Sequence, residues 1–143
     1  MFRNKYEGHL DRGAAAVEMA LVLPLLLLIL FGLVDFGRAF NYQMQLTQAA
    51  REAVRVKALG GTDFDARNRV TAATAAMNPA PATAFPATCP VGNTTANAKV
   101  TVSYSFSYIT PLGPIARLFG ASTLPNVGTV QTLSSEGVMR CSG

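Results

Sequence analysis

Residues 12–34 read RGAAAVEMALVLPLLLLILFGLV, an aliphatic run with one acid, Glu18, directly behind a polar leader, MFRNKYEGHLDRG over residues 1–13. From Ala14 to Val34 there are 21 residues, which as an α-helix reach about 31 Å, the thickness of a bilayer's hydrocarbon core. A soluble helix this apolar would have to be buried on every side, and the remaining chain has too few apolar elements to surround it. A cleaved secretory signal would have a shorter core followed by small residues. Here Asp35, Phe36, Gly37 and Arg38 follow the core and the small residues precede it. The run is therefore expected to span a membrane and to stay on the mature chain, with any cut in front of it.

Two residues inside the span stand out. Pro24 removes one backbone donor near the centre and is expected to kink the helix rather than end it, as membrane helices tolerate. Glu18 is the costly one, because an ionised carboxylate within a bilayer costs on the order of 3 kcal/mol unless it snorkels or finds a cation. No basic residue lies within one turn of it, since Arg12 is six positions away. Its partner must come from lipid headgroups or from another molecule.

Half of the 143 residues are hydrophobic and 14% are charged, an average over a membrane segment and a polar domain. The net charge of +4 comes from twelve scattered basic residues. The densest group, Arg51, Arg55 and Lys57, is interrupted by Glu52 and reads as a solvated helix face, so no nucleic-acid binding is expected. His9, the single histidine, lies in the leader. That excludes a histidine triad or a multi-histidine metal site from the chain beyond it. There is no glycine-rich phosphate loop, and Glu136 stands far from Asp65, so neither a cofactor nor enzymatic activity is expected.

Beyond the span, residues 35–59 have no proline, and after Gly37 no glycine occurs until Gly60. Helix formers predominate, so one helix of 46 residues from Ala14 to Leu59, about 69 Å long, is expected, ended by Gly60-Gly61. Phe36, Phe40, Met44, Thr47, Ala50, Val54 and Ala58 form a stripe that needs a cover, either the chain's own head or another subunit's helix. Asp35 and Arg38 are spaced for an i, i+3 pair worth a few tenths of a kcal/mol, and no chemistry is assigned to them.

Residues 60–143 form the head. A second helix is expected from Phe64 to Met77, capped by Thr62 or Asp63. Residues 78–88, NPAPATAFPAT, read as a loop, and a short strand is expected from Ala87 to Val91. The clearest strand is Lys99–Thr110, where Val100, Val102, Tyr104, Phe106 and Tyr108 alternate with hydroxylic residues. PLGPIARLFG at 111–120 suggests a turn and a short amphipathic helix, its Ile115, Leu118 and Phe119 facing the core or the membrane surface. A last strand over residues 129–140 should pair antiparallel in the same sheet. Cys89 and Cys141 are 52 residues apart. They can form a disulfide worth roughly 4 kcal/mol if the head is outside the cytoplasm, and are reduced thiols if it is cytosolic. Arg3, Lys5 and Arg12 before the span against Arg38 and Arg51 after it place the leader inside and the head outside.

Gly13 followed by Ala14, Ala15, Ala16, Val17 and Glu18, and then by an apolar helix, resembles the G-x-x-x-x-E signature of type IV prepilins. In that family a membrane-embedded prepilin peptidase cuts after the glycine, which here makes Ala14 the first residue and Glu18 the fifth. The longer run AAVEMALVLPLLLLILFGLVDFGRAF, with QAAREAVR downstream, is similar to TadE-like minor pseudopilins of tight-adherence (Tad/Flp, type IVb) pili. One departure is Met19, where an aromatic often follows the glutamate.

The resemblance implies a pilus-assembly subunit of the bacterial inner membrane, with its N-terminus cytoplasmic. Its partners would be other pilins and pseudopilins and the inner-membrane assembly platform. Glu18 would pair with a neighbour's new amino terminus, each offsetting the burial of the other's charge. The expected fold is α+β, a long pilin-like helix on a small antiparallel sheet head with one or two short helices. Its segments are a leader (1–13), a span (14–34), a helical extension (35–59) and the head (60–143). The alternative is an uncut single-pass protein whose head binds an extracytoplasmic partner.

Overall fold

The computed structural model describes residues 7–110 and 130–142, with side chains from residue 13 onward. The fold is α+β, as expected: α1 (Glu7–Ala58), α2 (Asp63–Ala73), β1 (Ala82–Ala87), β2 (Asn97–Phe106) and β3 (Gln131–Arg140). The turn and short helix expected at 111–120 lie outside the described residues.

Helix α1 is 52 residues long and runs through Pro24. It begins at Glu7, before the expected start at Ala14; a lone Gly13 costs only about 1 kcal/mol and helix formers flank it. Its C-terminus closes as a Schellman motif. Gly60 takes φ +82°, which an L side chain resists. The Gly61 amide then donates to the Val56 carbonyl at 2.9 Å and the Gly60 amide to Lys57 at 3.2 Å. Thr62 starts α2 with a capping box: its hydroxyl accepts from the Asp65 amide at 3.1 Å and its amide donates to the Asp65 carboxylate at 3.2 Å. The Thr62 hydroxyl, which also donates to the Asp65 carboxylate at 2.6 Å, and the Thr62 amide hold the Asp65 carboxyl below its ordinary pKa. Helix α2 stops at Ala73 rather than Met77, where the Thr74 hydroxyl turns back onto the Val70 carbonyl at 2.8 Å. Met77 still reaches the core.

The sheet is antiparallel with order β1-β2-β3. Strands β2 and β3 pair without a slip from Asn97↔Arg140 to Phe106↔Gln131. The alternation read in β2 holds: Val100, Val102, Tyr104 and Phe106 are buried. Strand β1 corrects the reading of residues 78–88 as a loop and of the strand as starting at Ala87, since the strand ends there. Proline hid it. Pro86 falls at the register shift between Ala84 and Ala87 on an edge strand, where its missing donor breaks no ladder bond.

The core lies between α1, α2 and the inner face of the sheet. Leu46, Ala49, Ala50, Ala53, Val54 and Ala58 of α1 meet Val100, Val102 and Phe106, with Ala66 and Val70 of α2 alongside. Alanine on α1 lets the backbones approach closely. The stripe expected from Phe36 to Ala58 therefore does not pack as one face. Ala50, Val54 and Ala58 belong to the core, whereas Phe36, Phe40 and Met44 are 71%, 69% and 58% exposed. The covered face instead runs through Asp35, Ala39, Tyr42, Leu46, Ala49 and Ala53, in alternating steps of four and three residues.

Cys89 and Cys141 form a disulfide, with Cα atoms 5.7 Å apart. It joins the chain after β1 to the end of β3. The Cys141 amide donates to Ala96 at 2.9 Å and the Ser142 amide to Ala58 at 3.1 Å, which fastens the C-terminal end to the top of α1.

Candidate assembly site

The residues singled out for assembly all lie on α1, whose first part receives no cover from the head. Residues 13–20 are exposed throughout, including Gly13, Ala14 and Glu18. Among the described residues no basic side chain pairs with Glu18. Val17, Leu21, Leu25 and Leu33 are each more than half exposed. Among the described residues one helix is long and apolar enough to cross a membrane, with a window of mean hydropathy 2.7 that is entirely uncovered. An uncovered aliphatic helix of this length is what a lipid or helix-packing environment requires and water disfavours.

Asp35 is the first residue past that run, and the structure gives it a role that the sequence did not disclose. Its side chain is fully buried. The carboxylate accepts the amides of Ile109 and Thr110, each at 3.2 Å, and the Thr110 hydroxyl, with the Arg38 guanidinium at 3.5 Å. Burial is the largest single influence and would raise its pKa. The Thr110 hydroxyl, the two amides and Arg38 together outweigh it and hold the carboxyl below its ordinary value. The expected Asp35–Arg38 pair thus exists as a minor part of a clamp that ties the chain after β2 to α1 at the edge of the apolar run. The missed signal was the buried acid itself; its partners lie 74 and 75 residues away in sequence.

Above the clamp, the Arg38 guanidinium lies 5.4 Å from the Phe106 ring centre and 5.7 Å from that of Tyr42. Tyr42 meets Tyr104 and Phe106 edge-on at 5.3 and 5.9 Å, and Phe106 meets Tyr108 likewise at 5.3 Å. At the other end of α1, the largely buried Lys57 donates to the Gly61 carbonyl at 3.0 Å and pairs with Asp63 at 2.8 Å, fixing the turn into α2. The head is thereby fastened to α1 at both ends.

Asp35→Ala strands these donors and is expected to cost about 2 kcal/mol at neutral pH. The sign of the pH dependence follows from the lowered folded-state pKa. The contribution is present above the ordinary value of 3.8 and is lost as pH falls through the lower folded value. Thermal melts of the detergent-solubilised chain should therefore separate parent and variant more widely at pH 7 than at a pH below 3.8. An equal gap at both pH values would mean that the carboxylate's charge is not what holds the clamp.

Residues 13–55 match the family model of TadE-like proteins. No curated protein and no solved structure matches the chain. The matched stretch starts at the glycine of the G-x-x-x-x-E pattern, passes through Glu18, Pro24 and Asp35, and takes in most of the face of α1 that the head covers. Over residues 13–55, the helical spine that carries the uncovered apolar run and the head's attachment, the chain is similar to TadE-like proteins.

Proposed function

We propose that this chain is a TadE-like minor pseudopilin that helps assemble Tad/Flp type IVb pili and is processed by a prepilin peptidase after Gly13. The observation that carries the reading is Glu18 five residues past an exposed Gly13, at the start of an uncovered apolar helix that continues unbroken into a folded head. In this reading residues 1–13 are a cytoplasmic leader. The span, 14–34, crosses the bacterial inner membrane once, its extension over 35–59 carries the head, and residues 60–143 lie outside the cytoplasm, where a disulfide persists. The role is non-catalytic. The partners are other pilins and pseudopilins and the inner-membrane assembly platform.

Glu18 then acts through charge pairing. Cutting after Gly13 creates an ammonium on Ala14, and a neighbour's ammonium facing Glu18 offsets the cost of holding a carboxylate in an apolar surround. Loss of one member of a buried pair costs about 3–5 kcal/mol because the other stays buried and unpaired. The pair therefore also sets the axial register between subunits.

Intact mass spectrometry of the membrane-extracted protein should find Ala14 as the N-terminus in cells that contain the peptidase, and residues 1–13 retained in Gly13→Leu. Glu18→Ala should still be cut, at least in part, while its recovery with partner pilins falls at least about tenfold. Retention of the leader on the parent chain would overturn the processing. Normal pilus formation by Glu18→Ala would overturn the charge pair.

A further inference from the structure

We infer that the end of the head nearest the apolar run is a lipid-docking collar: Phe36, Ile109 and, at its outer limit, Phe40 rest in the headgroup region of a phospholipid bilayer. The inference builds on the reading of residues 14–34 as a membrane span. All three side chains are about 70% exposed, although each stands next to a well-packed part of the fold. What fixes their level is the Asp35 clamp. The Ile109 amide lies 3.2 Å from the Asp35 carboxylate, one residue past the span, so Ile109 cannot stand far above the end of the apolar helix.

Helical rise gives the depths. Phe36 stands about 3 Å beyond Val34, Arg38 about 6 Å, Phe40 about 9 Å and Met44 about 15 Å. The polar zone of each leaflet is about 5–8 Å deep. Phe36 and Ile109 therefore fall inside it, Phe40 at its boundary and Met44 beyond. Phenylalanine and aliphatic side chains on an exposed face insert at the boundary between headgroups and acyl chains, and Arg38 stands at the level of lipid phosphates. The clamp also makes the placement tolerable for Asp35, whose charge is met by three donors and a guanidinium before any lipid approaches.

The chain has no tryptophan, so single tryptophans can report depth in the full-length protein reconstituted into phosphatidylcholine vesicles, with or without brominated acyl chains. Phe36→Trp and Ile109→Trp place the reporter at exposed positions. Leu26→Trp reports on the span, and Met44→Trp and Val91→Trp on the distal surface. Bromolipid should lower emission at least about twofold for the reporters at 26, 36 and 109 and leave those at 44 and 91 unchanged. Quenching at 26 without quenching at 36 and 109 would overturn the collar and leave the span intact. No quenching at 26 would overturn the span and the collar together. Unquenched emission at 36 and 109 that shifts to the blue only as the protein-to-lipid ratio rises would assign the patch to a second copy of the chain, which also overturns the proposal.

Discussion

Replacing both Cys89 and Cys141 by alanine should cost the head about 4 kcal/mol, the expected effect of opening a crosslink between residues 52 apart in sequence. The fold offers little to absorb such a loss. Among the described residues, six of the buried apolar ones, Ala49, Ala50, Ala53, Ala58, Ala66 and Ala98, are alanines that bury little surface. Small domains bury a modest fraction of their chain in any case. The bridge also joins the segment after β1, an edge strand with an interrupted register, to the end of β3. Without it the end of β3 keeps its pairing with β2 and the bonds of the Cys141 and Ser142 amides to Ala96 and Ala58. A melting temperature lower by about 15–30 °C is expected for a domain of this size. Circular dichroism of the detergent-solubilised chain would measure it. The double variant is the cleaner test, because it removes the bridge completely without depending on how far a reductant reaches the partly buried Cys89 or the buried Cys141. A shift below about 5 °C would mean that the packed core, not the crosslink, carries the head.

How much was legible in the sequence follows from how local each interaction is. The apolar run, the unbroken helix and the Gly60-Gly61 stop depend on neighbours within one or two turns, and residues 13–55, the part that matches the TadE-like family, lie in that region. The alternation of β2 is likewise carried by adjacent residues. Strand β1 was hidden because alanine and proline give it no alternation of its own; it exists because Ala82–Ala84 find Thr101–Ser103 across the sheet. The helix stripe was rotated for a related reason. Large side chains at Phe36, Phe40 and Met44 suggested burial, whereas the sheet requires the alanine face, where there is room for it. Asp35 and Gly137 were invisible as key residues because each acquires its meaning from a partner more than seventy residues away.

Gly137 shows that dependence most sharply, and Gly137→Ala should destabilise the head by about 3 kcal/mol. The residue is buried in β3 opposite Val100, where the strand crosses α1. A Cβ there would lie 2.5 Å from the Ala50 carbonyl oxygen, 2.9 Å from its carbon and 3.0 Å from a Val54 methyl. The nearest obstacle is helix backbone, which cannot rotate aside as a side chain can. Relief must come from pushing β3 off α1, which opens the contacts of Val100 and Val102 with the alanine face behind it. Removing side chains should therefore fail as rescue. Ala50→Gly leaves the carbonyl in place, and Val54→Ala removes only the weakest of the three contacts while adding a cavity. Gly137→Val should leave no folded head. Thermal melts of Gly137→Ala alone and combined with each α1 substitution would measure these effects. A melting temperature within about 5 °C of the parent, or full recovery by Ala50→Gly, would show that β3 does not press on the helix backbone at this point.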